Sequence, residues 1–503
     1  MLLAVIATAA LIVLRSFVFL HYEQADFDAD QAIVGLMAKH LGEGRAWPLF
    51  FYGQLYMMGV QAWMAAPVFL LLGPTVFALK LPLLLLNVAT GGLLVWLLVR
   101  DAGLRAWQAA LATSWFALLP PLTASRMVQA QGGTIEPLFY ALLLWMARRR
   151  AVVFGLVFAF GFLQREFTLF AVVAIVALEA WTGEFFTRRR AAHWLVVLLV
   201  FLGAREAVTL MRHTSSMFGP DAPPPRLEDA VTNVDLVAKS VCLAPEHVAG
   251  NVKWLAAHNV PTFFGVRTQP AGWLILSRAP TGMPWAGVPA GAALIAAVVL
   301  IGRRGWRWLP PLRAPDDARV LLPTMLVLTG GLGLAGVATG CNVQSVISIR
   351  YHLLLALAPV GLIALAFVLG DARPACRGRG RGRWLSRAMV AGTVVWGGAM
   401  AWQHVRLLHE YRVAEPPSAF RVLADDLVAH GDRYGWASYW VSYTVNFLSR
   451  EQVQVSPTSS IRIADYARRA SRAGARTVFI GNEACAADEV ARRVESWWIC
   501  RAR

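Results

Sequence analysis

Three aspartates at alternate positions, Asp26, Asp28 and Asp30, stand in the stretch ADFDADQA just after the first long apolar run of the chain. Carboxylates beside an apolar span are costly unless solvated or paired, so a cluster there asks for a reason. One reason is structural: Asp28 or Asp30 caps the helix that DQAIVGLMAKHL predicts, and the others are solvated. The other is chemical: a carboxylate placed there can act as a general base that takes the proton of an attacking hydroxyl. An Asp-x-Asp spacing can also hold a divalent cation, and chemistry without metal is the expectation.

Other polar residues sit where an apolar chain would not place them idly. Arg350 opens the late apolar run RYHLLLALAP, where a guanidinium either grips a phosphate with two parallel hydrogen bonds or anchors the helix, with Tyr351 in the interfacial aromatic belt. Lys80, in FALKLPLLLL, either adds a second positive charge for a phosphate or snorkels to the nearer interface, and Arg15 in the first run has the same two readings. Glu136 lies inside an apolar run and belongs in the bundle interior, as a substrate contact or paired with Arg126 or Arg165. Tyr52, Gln54 and Tyr56 combine contact area with donors and acceptors suited to a substrate's hydroxyls, or belong simply to an interface. His40 and His352 have no partner at metal-ligand spacing, and no CxxC or histidine cluster suggests structural zinc.

The elements that must position these groups are membrane spans. Of 503 residues, 57% are hydrophobic and 15% charged, with a mean hydropathy of +0.53, more apolar surface than a water-soluble fold of this length can hide. Runs able to cross the hydrocarbon, about twenty residues each, fall at 1–20, 75–99, 106–124, 132–147, 191–211, 286–302, 320–340, 351–370 and 388–405. A hairpin of two short spans over 151–182, bent at Gln164, Arg165 and Glu166, brings the count to about eleven. A net charge of +17 would suggest nucleic acid in a soluble protein, but these basic residues cluster on short loops between spans, and no nucleic-acid partner is expected.

Arg100 and Arg105, Arg148 to Arg150, Arg188 to Arg190, Arg303, Arg304, Arg307, Arg313 and the tract CRGRGRGRW at 376–384 fall on alternate loops, which are therefore cytoplasmic. The arginine-glycine tract is a topogenic cluster on this reading. The loops 21–74 and 212–285, the turn 341–350 and the tail 406–503 are extracytoplasmic by alternation. The run 1–20 has neither a basic leader nor a small-residue cleavage site and reads as a retained span. The expectation is a multi-pass protein of a bacterial inner membrane with a cytoplasmic N-terminus, divided into a membrane domain over 1–405 and a small extracytoplasmic α/β domain over 406–503. Four cysteines, Cys242, Cys341, Cys485 and Cys500, fall on the oxidising side, where Cys242 with Cys341 and Cys485 with Cys500 are permitted pairs.

Within the first loop, DQAIVGLMAKHL places Ile33, Leu36, Met37 and Leu41 on one stripe, which suits an interfacial helix, and a second apolar element over about 55–72 lies beside the membrane without crossing it. The tail alternates helices with the strands EQVQVSP and RTVFIG, which predicts parallel pairing, and AADEVARRVESWW reads as a closing helix that a Cys485–Cys500 bond would clip.

The run DADQAIVGLMAKHLGEGRAWPLFFYGQLYMMG resembles the first external loop of the GT-C glycosyltransferases, especially the bacterial family 39-like relatives of protein O-mannosyltransferases and of the aminoarabinose transferase. Their loop pairs two acidic residues at the start of an interfacial helix with a Pro-x-Phe-Phe-Tyr-Gly-Gln-like segment. GGTIEPLFYALLLWMARR is similar to their fourth span, RYHLLLALAP to the Arg-Tyr-led span after their late turn, and ASYWVSYTVNFLSREQVQVSP to the soluble end of some members. The resemblance implies an inverting hexosyl or pentosyl transferase that moves a sugar from a polyprenyl-phosphate donor to a hydroxyl on a glycan, lipid or protein. It makes Asp30 the base and Asp28 its partner or a second acid, and the Arg-Tyr match favours the donor phosphate for Arg350; side-chain chemistry adds Lys80 to that phosphate and Tyr52, Gln54, Tyr56, Glu136 and Tyr351 as candidate substrate contacts. No cofactor is implied, and Gln31, where the family has Glu, weighs against a cation between the aspartates. Two rivals stand beside it: a transporter or flippase of lipid-linked saccharides whose pathway is lined by Arg165, Glu166, Arg205 and Glu206, and a non-catalytic assembly or binding protein on the same scaffold.

Overall fold

The apolar runs fold as helices because backbone groups in hydrocarbon have only one another for partners. The computed structural model describes residues 1–222, 233–272, 275–305, 318–341, 343–371, 381–486 and 488–502; Arg307, Arg313 and residues 376–380 of the arginine-glycine tract lie outside them. In chain order the helices are α1 Leu2–His21, α2 Ala29–Gly42, α3 Val60–Leu72, α4 Val76–Arg100, α5 Ala106–Ala117, α6 Pro121–Met127, α7 Glu136–Ala147, α8 Ala151–Gln164, α9 Thr168–Trp181 and α10 Arg188–Met211. There follow α11 Asn233–Ser240, α12 Pro245–Trp254, α13 Val260–Phe263, α14 Gly287–Gly305, α15 Leu321–Ala338, α16 Leu357–Asp371 and α17 Arg381–Val413, then the tail helices α18 Ala419–Ala429, α19 Tyr439–Leu448 and α20 Ala464–Ala473.

Six helical stretches among the described residues are long and apolar enough to cross a membrane: Leu2–His21, Val76–Arg100, Arg188–Thr214, Pro284–Arg303, Ala318–Ala338 and Leu353–Gly370. Shorter apolar helices, α3 and α7 to α9, stand among them, and the chain is a multi-pass membrane protein. The ends bearing Asp101, Arg148, Arg149 and Arg190 surround one cavity at one end of the bundle. The loop 21–74, the turn before Arg350 and the tail meet at another place, described below.

Two predicted spans are broken, and the breaks matter. The run 106–124 ends as α5 at Ala117 and restarts as α6 behind Pro120-Pro121, which frees backbone carbonyls inside the bundle. Arg15 is fully buried and donates to Phe116 O and to Asn87 Oδ1, while His404 Nε2 bonds Leu119 O at 2.7 Å. Arg15 therefore neither snorkels nor meets a phosphate: it satisfies the broken helix. The run 132–147 is helical only from Glu136, and the irregular stretch ahead of it becomes a wall of the site.

In the first loop, strands β1 Phe50–Phe51 and β2 Gln54–Met58 form a small antiparallel hairpin, so the second apolar element begins as a strand and is helical only from Val60. Helix α17 runs past residue 405 to Val413 before the tail begins. The tail sheet has the order β4-β3-β5-β7-β6, from β3 Tyr434–Ala437, β4 Gln454–Pro457, β5 Val478–Gly481, β6 Glu489–Val494 and β7 Trp497–Ala502. Strands β4, β3 and β5 are parallel as expected, and β7 and β6 are antiparallel.

The predicted closing helix is instead the β6–β7 hairpin. Its Ala, Glu and Arg residues favour a helix locally, but β7 pairs with β5 (Ile480 opposite Ile499), Trp497 packs on Phe420, and Cys485 is bonded to Cys500. Pairing and packing outweigh a propensity difference of a few tenths of a kcal/mol per residue. The second disulfide, Cys242–Cys341, joins the end of α11 to the end of α15.

Candidate functional site

Where α2 begins, Asp28 is the N-cap, its carboxylate accepting from the Gln31 N–H at 3.1 Å. Capping fixes the phase of the helix, and Asp30, in its first turn, faces a recess lined also by Gln54, Tyr56, Gln131, Arg165, Arg350 and Tyr351. The recess is walled by the β1–β2 hairpin, the irregular stretch before α7, the α8–α9 turn and the 3-10 turn Val346–Tyr351. Gly133 has φ +77°, and a Cβ there would lie 2.6 Å from Arg165 Cβ, so glycine lets the two loops close on each other.

Asp30 Oδ1 accepts from the phenol of Tyr439 at 2.7 Å, and Asp30 Oδ2 lies 4.0 Å from Arg350 Nη1. Arg350 donates to Gln131 Oε1 at 3.1 Å and to the Tyr351 hydroxyl at 2.8 Å, while its Nε is enclosed with no hydrogen-bond partner. Arg165 approaches the same Tyr351 ring, 5.8 Å from its centroid against 4.9 Å for Arg350, and its Nε is likewise enclosed with no hydrogen-bond partner. Arg350 thus stands beside a carboxylate already engaged by a phenol, and Arg165, whose Nε lies 3.9 Å from Glu166, lines the same recess, which suits an anion entering between the arginines.

Asp28 lies one layer behind. Its carboxylate receives the side-chain amides of Gln131 at 2.6 Å and Gln129 at 3.3 Å. Burial first, then the charges of Asp26 and Asp30, raise its carboxyl to about 6, against the Gln31 N–H and Arg126. Asp26 pairs with Arg126 at 3.3 Å. Gln31 is fully buried, donating to Asp26 O at 3.2 Å and accepting from the Ala130 N–H at 3.3 Å.

Asp30, Gln54, Tyr56, Arg350 and Tyr351 are therefore brought together, and Asp28 stands behind them. Lys80 is buried, and its ammonium donates to Phe19 O at 3.0 Å and to Asp26 O, tying the end of α1 to the acidic stretch rather than facing the recess. Glu136 is buried behind the wall, accepting from the Thr134 N–H at 2.8 Å and from Gln164 at 2.9 Å; neither Arg126 nor Arg165 pairs with it. Tyr52 is fully buried, its hydroxyl 3.0 Å from His40 Nδ1. Of the residues considered for a transport pathway, Arg165 and Glu166 flank the α8–α9 turn, whereas Glu206 is exposed on α10.

Sequence reasoning missed Gln131 and Tyr439, and gave Arg165 only a place at a bend. Arg165 carried a signal, a charge between two short apolar helices; Tyr439, 409 positions from Asp30, carried none.

No protein-family model matches the sequence, and no curated protein matches it. Solved structures do. ArnT from Cupriavidus metallidurans bound to undecaprenyl phosphate superposes with a TM-score of 0.56 at 11% identity, covering 99% of this chain and 97% of that one. The apo oligosaccharyltransferase of Archaeoglobus fulgidus gives 0.53 at 12% identity over 96% of this chain and 69% of its own. AglB from the same organism, with an inhibitory peptide and a dolichol-phosphate, gives 0.50 at 13% identity over 90% and 64%. The chain thus shares its fold with ArnT and with the archaeal oligosaccharyltransferase over nearly its whole length. The likeness read from short motifs holds for the architecture, tail included.

Proposed function

We propose that this protein is a glycosyltransferase that moves a sugar from a polyprenyl-phosphate donor to an acceptor hydroxyl, on the extracytoplasmic face of a bacterial inner membrane with the N-terminus in the cytoplasm. The observation that carries this reading is the placement of Asp30 and Arg350 on one recess, 4.0 Å apart, in a fold shared with proteins solved with undecaprenyl phosphate and dolichol-phosphate. The acceptor oxygen attacks the anomeric carbon, and the carbon–oxygen bond to phosphate breaks. The phosphate leaves with the electron pair, held by Arg350 and Arg165, while the acceptor's proton passes to Asp30. Attack from the face opposite the phosphate inverts the anomeric centre.

The transfer needs no metal on this proposal, because the carboxylate partners found are donors: Gln129 and Gln131 on Asp28, Tyr439 and Arg350 around Asp30. The test is transfer from radiolabelled undecaprenyl-phosphate sugars in proteoliposomes. Asp30→Asn should lower the rate roughly 100-fold or more, Arg350→Ala should raise the donor KM, and EDTA should change neither. Undiminished transfer by Asp30→Asn removes the reading. Movement of label across the bilayer without covalent transfer makes the protein a transporter, and glycan binding with neither makes it an assembly protein.

A further inference from the structure

The tail meets the recess through one end of its sheet. In open α/β sheets, ligands gather beyond the carboxyl ends of parallel strands. The carboxyl end of β3 leads into Ser438, Tyr439 and Trp440, and that of β4 into Thr458, Ser459, Ser460, Ile461 and Arg462. This end abuts the site: Tyr439 donates to Asp30, and Arg462 Nη1 donates to Gly53 O, in the turn between β1 and β2, at 2.8 Å.

Beside that contact is an exposed surface of mixed character. The Trp440 side chain is 55% exposed, and its ring centroid is 5.3 Å from that of Tyr439. Ser438, Thr458, Ser459 and Ser460 are exposed on the two strand ends. Ser460 has φ +56°, a left-handed backbone that non-glycine residues adopt mostly where surroundings or function require it. Arg462 Nε is enclosed with no hydrogen-bond partner.

An indole face packs against the C–H face of a pyranose, and the exposed hydroxyls of Ser438, Thr458, Ser459 and Ser460 answer the ring's own hydroxyls. A peptide would be gripped by pairing along a strand edge, and an acyl chain by a continuous apolar groove, neither of which this strand end offers. Resting on the transfer reaction above, we propose that the acceptor is a carbohydrate: its outer sugar units lie on Trp440 and the Thr458–Ser460 segment, and it presents a hydroxyl to Asp30.

The test uses the full chain in nanodiscs against an array of neutral and acidic oligosaccharides, with undecaprenyl phosphate binding measured on the same preparations. Wild type and Asp30→Asn should bind the same glycans, Trp440→Ala should weaken binding at least tenfold, and Trp440→Phe, which keeps a ring face, should restore most of it. The proposal is overturned if no glycan binds the wild type, if Trp440→Ala binds as well as wild type, or if a peptide or lipid proves to be the acceptor. Undecaprenyl phosphate binding that depends on Arg350 while the array stays silent leaves the transferase reading standing and removes the carbohydrate. Glycan binding without Arg350-dependent lipid binding does the reverse.

Discussion

Asp28 holds its carboxylate between two glutamine amides, and burial, with Asp26 and Asp30 as like-charged neighbours outweighing the opposing charge of Arg126, raises its carboxyl to about 6. A carboxyl raised on folding binds its proton more tightly in the folded chain. Its contribution is therefore full below about pH 4, the unfolded value, and is lost as pH rises through about 6, a change of up to about 3 kcal/mol. Asparagine caps helices as well as aspartate does. Asp28→Asn should accordingly lose much less stability than wild type between pH 5 and 7 in thermal melts in detergent; parallel curves would show that Asp28 does not titrate there. Gln31 gives a second prediction, since it uses both ends of its amide on backbone partners. Glu can accept from Ala130 but cannot donate to Asp26 O, and it adds a charge to three aspartates. Gln31→Glu should cost about 1–3 kcal/mol at pH 7 and less at pH 5, read by the same melts. Asp30 and Arg350 came forward through the family resemblance, because their residue types and positions alone fitted a helix cap and an interfacial anchor equally well. Lys80, Glu136, Tyr52 and Arg15 were not legible, because their partners are carbonyls and side chains of distant segments that no local pattern reveals.

Helix α2 reaches its place by a close crossing with α19 of the tail. A Cβ at Gly35 would lie 2.4 Å from the ring of Phe447, which is itself 1% exposed and tilted against the ring of Phe27. The ring has nowhere to move without lifting α19, and α19 carries Tyr439 to Asp30. Gly35→Ala should therefore cost about 1–3 kcal/mol and also reduce transfer, and a second change, Phe447→Leu, should recover part of both. Loss of stability with full transfer would mean that α19 does not hold the base. The helices were readable from apolar periodicity, and α2 falls where its stripe predicted. The breaks at Pro120 and before Glu136, and the hairpin at the end, were not. There, carbonyls answered by Arg15 and His404, and pairing of β7 with β5, decide the outcome through contacts that periodicity does not encode.

Across the molecule, the tail is held on the first loop by a cluster around Glu451. Its side chain is 4% exposed and meets Lys39 at 2.5 Å, Arg45 at 2.7 Å, His40 at 3.0 Å and the Tyr466 hydroxyl at 2.7 Å. Arg421 adds a contact to Glu23 at 2.7 Å. Burial alone would raise the Glu451 carboxyl, but hydrogen bonds and charge from His40, with the bonds from Arg45 and Lys39, hold it far below the usual carboxylate range. A carboxyl depressed on folding gives stability that is present above its unfolded value, about 4, and is lost only as pH falls through the folded one. Glu451 itself therefore stays ionised from pH 5 to 8. Removing the charge is another matter, because Lys39 and Arg45 would then share the half-exposed Glu43 as counter-ion, at 2.9 and 3.1 Å, and lose the buried one, at a cost of up to about 3 kcal/mol. Glu451→Gln should leave the helical bundle folded but loosen the tail. Trypsin should then cut within the tail and near Arg412, just before the segment joining α17 to α18, many times faster than in wild type at pH 7. Transfer should fall with it, since an undocked tail withdraws Tyr439 from Asp30. A variant as resistant to trypsin as wild type would place the grip of the tail elsewhere, on Arg421 and Arg462.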